Sequence, residues 1–191
     1  MLYLLWVIIL DNLSLFTLIF KNLTHNAQFT TYNLDKLSML KLDATDRGIL
    51  QHLQTNALLS TKDLASLLNL SYTPVYERIR KLEKEGIIKK YVALIDREKI
   101  GKNLIAFCNI SLKEHSRANG EKFVKAVLSF EEVMECYNIS GGYDFMLKVV
   151  VQDMPAYQQF LMEKLGALDS IGNTHSIFVM SEIKHETALK A

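Results

Sequence analysis

The sequence predicts an α+β protein with a helical front half and a strand-rich back half. Capping signals and helix-spaced apolar residues indicate three short helices between residues 43 and 86. From residue 104 onwards, strand and helix patterns follow one another in the order β-α-β-β-α-β. The 191 residues are 49% hydrophobic and include only 2 Cys. Ordinary apolar packing, rather than disulfide bonds, is therefore expected to hold both halves together.

The first 20 residues depart from this picture because 16 of them are apolar. A cleaved signal peptide fits poorly, since no basic residue precedes Lys21. A membrane anchor would place Asp11 near the middle of the bilayer at a cost of about 2.5–3.5 kcal/mol. We favour a third interpretation, in which residues 1–38 are a non-native or mis-started extension and the chain proper begins at Met39.

Two helices are expected first in the front half. Asp43 can cap one helix, and Ser60 stands three residues before Asp63 in the spacing of a capping box for a second helix. Asn69 can end that second helix in the left-handed region. The apolar residues expected to face the core are Ile49, Leu50, Leu53, Leu64, Ala65, Leu67 and Leu68.

A third helix is expected to begin with Thr73 as its cap and Pro74 at the first helical position. Its apolar positions are Val75, Ile79 and Leu82, and Gly86 is expected to end it. The segment 87–96 is rich in Ile, Val and Tyr and predicts a strand, which would form a wing after the third helix.

Three short helices with a tight second turn and a following wing predict a winged helix-turn-helix, whose third helix enters the DNA major groove. The charge distribution agrees, because residues 39–96 carry a net +2 and residues 104–191 a net −3. The alternative is a merely solvated helix face on which Glu77 pairs with Lys81. The expected DNA-contacting residues are Ser71, Tyr72, Thr73, Tyr76, Arg78, Arg80, Lys81 and Lys84.

The back half predicts a ferredoxin-like βαββαβ domain. Strands are expected at residues 104–112, 133–139, 145–151 and 176–184, and helices at residues 116–130 and from Asp153 to Leu165. Two helices cover only one face of such a sheet. The alternation around Phe107, Tyr137, Phe145 and Phe178 places apolar residues on both faces, so we expect the chain to self-associate.

These residues resemble the Lrp/AsnC (leucine-responsive, or feast-famine) transcription regulators from about Leu42 to Lys184. The strongest stretch is LSYTPVYERIRKLEKEGII at 70–88, similar to the family pattern L-S-x-x-x-V-x-x-R-[IV]-x-x-L-E-x-x-G-[VI]-I. The second is SGGYDFMLK at 140–148, similar to S-G-x-[YF]-D-[YF]-x-L-[KR]. The resemblance implies a DNA-binding domain joined by a hinge to a ligand-sensing domain, in dimers that often assemble into octamers and commonly respond to an amino acid.

The residues of the second stretch suit an amino acid ligand. The backbone N–H groups of Gly141 and Gly142 can hold its carboxylate, and Asp144 can hold its ammonium group. The alternative is a plain hairpin turn, in which Gly supplies a positive φ and Asp supplies turn hydrogen bonds. The expected effector-binding residues are Gly141, Gly142, Tyr143, Asp144, Met154, Thr174, His175 and Ser176, of which Tyr143 and the last four follow from the resemblance alone.

The predicted organisation is the extension at 1–38, a winged helix-turn-helix at 39–96, a hinge at 97–103 and an effector-binding and oligomerisation domain at 104–191. The expected function is sequence-specific transcription regulation in the cytoplasm, modulated by an amino acid. The expected partners are double-stranded DNA, this effector and a second copy of the chain. We expect no cofactor, metal or catalysis, because the histidines lack metal spacing with Cys108 or Cys136. A stand-alone metabolite-binding module and a membrane-tethered regulator remain alternatives.

Overall fold

The computed structural model describes residues 42–190, and the predicted extension at 1–38 lies outside the described residues. The helices are α1 (Ala44–Thr55), α2 (Thr61–Leu67), α3 (Tyr72–Lys84), α4 (Arg117–Val127) and α5 (Met154–Gln159), the last continuing as a π-helical stretch over Phe160–Leu165. The strands are β1 (Leu104–Leu112), β2 (Val133–Asn138), β3 (Phe145–Val151) and β4 (Ile171–Phe178).

The two predicted caps of the helical head, residues 42–88, are confirmed, and the one at Asp43 is a capping box like the one predicted at Ser60. Asp43 caps α1 with Asp46 as its reciprocal partner, and Ser60 caps α2 with Asp63. Asn69 follows α2 with φ 55°, the predicted left-handed conformation. Leu67 was also expected to face the core but is 52% exposed. The short helix α2 buries only the side that carries Leu64 and Ala65. The buried residues of this head are Ile49, Leu50, Leu64, Ala65, Val75, Ile79 and Leu82.

The start of α3 differs from the prediction. The helix begins at Tyr72 with Ser71 at the N-cap, so Thr73 and Pro74 lie inside its first turn. Proline is tolerated there because the first N–H groups of a helix have no intrahelical partner. The end is as predicted: Gly86 takes φ 72°, and the N–H of Ile87 donates to the carbonyl of Leu82 at 2.9 Å.

The predicted strand over residues 87–96 is wrong. In the described part of the chain this segment belongs to no strand, and residues 89–95 are exposed. A strand needs a hydrogen-bonding neighbour, and the sheet pairings of residues 42–190 all lie in the back half. The segment is instead attached to α3 by the Tyr91 hydroxyl, which donates to Glu83 Oε1 at 3.0 Å.

The back half confirms the predicted ferredoxin-like βαββαβ fold. Its four-stranded sheet has the order β2-β3-β1-β4, and every neighbouring pair is antiparallel. The last strand was predicted at 176–184 but spans Ile171–Phe178. It is an edge strand whose side chains are largely exposed, so its polar segment Gly172–His175 lacks the apolar alternation that marks a half-buried strand.

One face of the sheet is covered by α4 and by α5 with its π-helical extension. Phe130, predicted within α4, lies beyond its last residue Val127 and packs half-buried against the same core. The opposite face carries Phe107, Tyr137 and Ile177, and the last two are 46% and 48% exposed. The buried core consists of Ala106, Cys108, Ile110, Leu112, Phe123, Val127, Phe145, Leu147, Val149, Val151, Tyr157, Phe160 and Leu165.

The segment after β4 returns to the helical head. The side-chain amide of Gln54 in α1 donates to the carbonyl of Leu189 at 2.9 Å, and its oxygen accepts from the Leu189 N–H at 2.6 Å. The two bonds together fix both backbone groups of one residue. The C-terminal segment of the back half is therefore attached to the first helix of the front half.

Candidate functional site

The outer face of α3 is the first candidate site. Val75, Ile79 and Leu82 bury one side of this helix, so the residues between them point outward. The rings of Tyr72 and Tyr76 stack with centroids 6.0 Å apart and stay 54% and 44% exposed. The N-terminal turn of the helix thus presents two aromatic side chains and a row of polar groups to solvent.

Arg78 differs from the other basic residues of α3. Its Nη1 lies 2.6 Å from Asp43 Oδ2 and 2.7 Å from Asp46 Oδ1, so it joins α3 to the capping box of α1. Asp46 and then Asp43 raise the pKa of Arg78 by accepting its hydrogen bonds. The N–H of Asp46 and then Arg78 lower the pKa of Asp43. This arrangement makes Arg78 a structural residue, which argues against its predicted contact with DNA.

The remaining basic residues of α3 are exposed. Arg80 reaches Glu83 at 3.2 Å but remains 67% exposed, so this pair holds it weakly. Within residues 42–190, Lys81 and Lys84 have no carboxylate within salt-bridge distance, and the alternative Glu77–Lys81 pair does not form. A stripe of available positive charge therefore runs along the outer face of α3.

The loop between β2 and β3 is the second candidate site, here called the glycine loop (residues 139–144). Gly141 has φ 121°, whereas Gly142 lies outside the positive range that favours glycine. Within residues 42–190 neither glycine N–H donates to a protein acceptor, and Ser111 Oγ donates to the carbonyl of Gly142 at 3.4 Å. The Tyr143 ring stacks on His175 at 6.1 Å. Two N–H groups thus remain available beside an aromatic pair.

Asp144, the carboxylate of this loop, already has partners. Its Oδ2 accepts from the N–H of Leu112 at 2.8 Å, and its Oδ1 lies 2.9 Å from Nδ1 of His115. Its own N–H donates to the carbonyl of Ile110 at 2.8 Å. The side chain is 23% exposed, whereas that of His115 is 76% exposed. Sequence reasoning missed His115, because only the fold brings the end of β1 next to the glycine loop.

Three of the eight predicted effector residues are not brought to the glycine loop. Met154 starts α5 after the far end of β3, about 20 Å along the strand from the loop. The hydroxyl of Ser176 accepts from Tyr157 at 2.7 Å on the core side of the sheet, where burial raises the pKa of Tyr157. Thr174 is exposed in β4 opposite Ile110. Within one chain, the residues brought together are Gly141, Gly142, Tyr143, Asp144 and His175.

Comparison with known proteins agrees with this division. Residues 42–89 match a family model described as winged helix-turn-helix DNA-binding, and residues 105–189 match the Lrp/AsnC ligand binding domain. The chain is 38% identical over 148 residues to the leucine-responsive regulatory protein of Escherichia coli (strain K12), covering 78% of this chain and 90% of that protein. The chain belongs to the Lrp/AsnC family.

Solved structures of similar transcription regulators have the same fold. An AsnC family transcriptional regulator from Agrobacterium tumefaciens is 38% identical, with a TM-score of 0.74 over 78% of this chain and 96% of that one. A transcriptional regulator from Neisseria meningitidis, solved in complex with L-Met, is 34% identical, with a TM-score of 0.73 over the same shares. This Lrp/AsnC chain is accordingly a DNA-binding transcription regulator with a small-molecule ligand-binding domain. No helix between residues 42 and 190 has the length and apolarity needed to cross a bilayer.

Proposed function

We propose that this chain binds operator DNA through α3 and that a free amino acid held at the glycine loop modulates this binding. The observation that carries the proposal is the outer face of α3, where Lys81 and Lys84 are exposed without an acidic partner among the described residues. Arg80 pairs with Glu83 at the helical spacing typical of a solvated face, but Lys81 and Lys84 do not pair in this way. Unpaired cations along one face suit phosphate contacts instead.

The proposed DNA contacts are the predicted set without Arg78. Arg80 is the base-reading candidate, because arginine can donate two hydrogen bonds to a guanine edge and its link to Glu83 is exposed. Lys81 and Lys84 are assigned to phosphates. The N-terminal turn contributes Ser71, Tyr72, Thr73 and Tyr76.

The proposed ligand is a free amino acid. The two available N–H groups of Gly141 and Gly142 suit its carboxylate, and Asp144 suits its ammonium group. The Neisseria meningitidis relative solved with L-Met supports this class of ligand. Met154, Thr174 and Ser176 stay predictions by resemblance, and a contribution from Met154 requires a second copy of the chain, because its own β3 holds it away from the loop.

The proposed assembly is a homodimer that buries the open face of the sheet. Tyr137 and Ile177 on this face are about half exposed, and an apolar surface of this kind favours association. Light scattering of the full chain at micromolar concentration should give at least a dimer, and a monomer would contradict this part of the proposal. Binding to chromosomal DNA would place the protein in the cytoplasm.

The test of the proposal is DNA binding by the full chain. A duplex selected from a random pool should bind more tightly than an unrelated duplex, and its affinity should fall steeply between about 50 and 200 mM salt. When the common amino acids are added one at a time, L-leucine and L-methionine included, at least one should change the affinity for the selected duplex. If no duplex is selected, the DNA-binding part fails; if no common amino acid alters the affinity, the effector part fails alone.

A further inference from the structure

The carboxylate proposed for the ligand ammonium is occupied by the chain's own residues. Asp144 Oδ2 accepts from the Leu112 N–H at the end of β1, and Oδ1 meets Nδ1 of His115. We propose that His115 is a latch on the ligand site: it holds the Asp144 oxygen that a ligand ammonium needs, so an amino acid must displace it to bind. This inference rests on the proposed function of the glycine loop.

The two contacts of Asp144 differ in how easily they can be exchanged. The Leu112 N–H is a backbone donor beside the sheet, and losing its acceptor would leave a partly buried group unpaired. His115 is a side chain with 76% of its surface in solvent, so water can replace Asp144 at little cost. A ligand is therefore expected to displace His115 from Asp144, while the hydrogen bond from the Leu112 N–H keeps the carboxylate in place.

A ligand ammonium is a better partner for this oxygen than the imidazole. It carries a full charge and three donors, whereas a neutral ring offers one N–H at Nδ1. A ligand without the ammonium group gains nothing from Asp144 and has no means of displacing His115. The Asp144 carboxylate therefore makes the site selective for amino acids over the corresponding keto acids, and the latch lowers the affinity for the amino acid.

The latch also joins two loops. His115 lies in the connection from β1 to α4, and Asp144 closes the glycine loop before β3. Of the other charged or titratable groups nearby, Lys113 and Glu114 lie in the same connection as His115, and His175 stacks on Tyr143. Displacement of His115 frees the connection from the loop and leaves the sheet pairing of Asp144 intact.

Calorimetric titration of the full chain with each of the common amino acids, L-leucine and L-methionine included, tests the latch. His115→Ala should bind the amino acid that the wild type binds about two- to fivefold more tightly, the range expected for the loss of an exposed competing pair. His115→Asn keeps a donor near the Nδ1 position and should stay close to wild type. Lys113→Ala, a charge change in the same connection, is the matched control and should also bind like wild type. The keto acid 4-methyl-2-oxopentanoate should bind weakly to all four proteins.

Each outcome decides the inference. Tighter binding by His115→Ala, including binding by this variant alone, supports the latch. Equal binding by His115→Ala and wild type overturns the latch and leaves the proposed amino acid site standing. Weaker binding by His115→Ala also overturns it, because the histidine would then contact the ligand. Absence of binding by both proteins overturns the latch and the proposed site together.

Discussion

The DNA-binding head and the ligand domain differ in which of their motif charges the fold leaves available. On α3, Arg78 is held by Asp43 and Asp46, and this internal pair fixes the helix whose outer face presents Arg80 and Lys84. In the glycine loop, Asp144 is held by Leu112 and His115 although it is the residue expected to meet the ligand. A charged residue within a motif can therefore be assigned a role only after its partners within the chain are known.

The largest expected effect is on ligand binding. Asp144→Asn keeps an oxygen that can accept from Leu112 but removes the charge that a ligand ammonium needs. The affinity for the amino acid should fall by about 1.5–3 kcal/mol, the contribution of a hydrogen bond to a charged group. Calorimetry measures this loss, and DNA affinity without ligand serves as the control, which should barely change. Equal losses in both activities would indicate a damaged fold rather than a lost ligand contact.

Arg80→Ala should weaken binding to the selected duplex by about 1–3 kcal/mol if Arg80 reads a base edge. Its free energy of unfolding should change by less than about 0.5 kcal/mol, because the pair with Glu83 is exposed. A mobility shift assay and a denaturant titration measure the two quantities. An unchanged DNA affinity would reject Arg80 as a base-reading residue.

Arg78→Ala should have the opposite effect to Arg80→Ala: it should reduce the stability of the chain more than its affinity for DNA. Its loss leaves Asp46, whose side chain is only 11% exposed, without its partner, and should lower the free energy of unfolding by about 1–2 kcal/mol. DNA affinity of the folded variant should fall less than that of Arg80→Ala. A variant as stable as wild type but defective in DNA binding would return Arg78 to the DNA-contacting set.

Acid should reduce the difference in the free energy of unfolding between wild type and Arg78→Ala. The pKa of Asp43 is lowered in the folded chain, first by the Asp46 N–H and then by Arg78, so the stabilisation is present above the ordinary Asp pKa of 3.8 and is lost as the pH falls below it. Wild type and Arg78→Ala should therefore converge in stability as the pH falls from 6 towards and below this pKa. Denaturant titrations over this range should show the gap closing, and a constant gap would contradict the ion pair.

The smallest expected effect concerns Lys84, the proposed phosphate contact. Lys84→Ala should weaken binding to selected and unrelated duplexes alike and reduce the slope of log affinity against log salt by about one. Titrations at several salt concentrations measure this slope. A loss confined to the selected duplex would instead make Lys84 a base-reading residue.

Local signals made most of the fold predictable. The caps at Asp43 and Ser60, the left-handed Asn69 and the bounds of β1 all follow from neighbours within a few residues. The sequence misplaced β4 because an exposed edge strand lacks apolar alternation, and it assigned a strand to residues 87–96 although that segment has no strand partner in the described chain.

The site was less predictable, because its decisive contacts join residues far apart in the chain. Arg78 and Asp46 are 32 residues apart, and His115 and Asp144 are 29 apart. The bonds between Gln54 and Leu189 span 135 residues. No periodicity or spacing rule reports such pairs, since they form only when the sheet and the helices are in place.

If ligand binding in one half of the chain changes DNA binding in the other, the two binding equilibria must be coupled, and their reciprocity can be measured. The affinity for the amino acid is measured by titration of the free protein and of its complex with the selected duplex, and DNA affinity is measured with and without saturating ligand. Each pair of affinities gives a ratio, and the two ratios should be equal and differ from one, since coupling between two binding sites is reciprocal. If both ratios equal one although the amino acid and the duplex each bind, the two sites are not coupled and ligand binding does not modulate DNA binding.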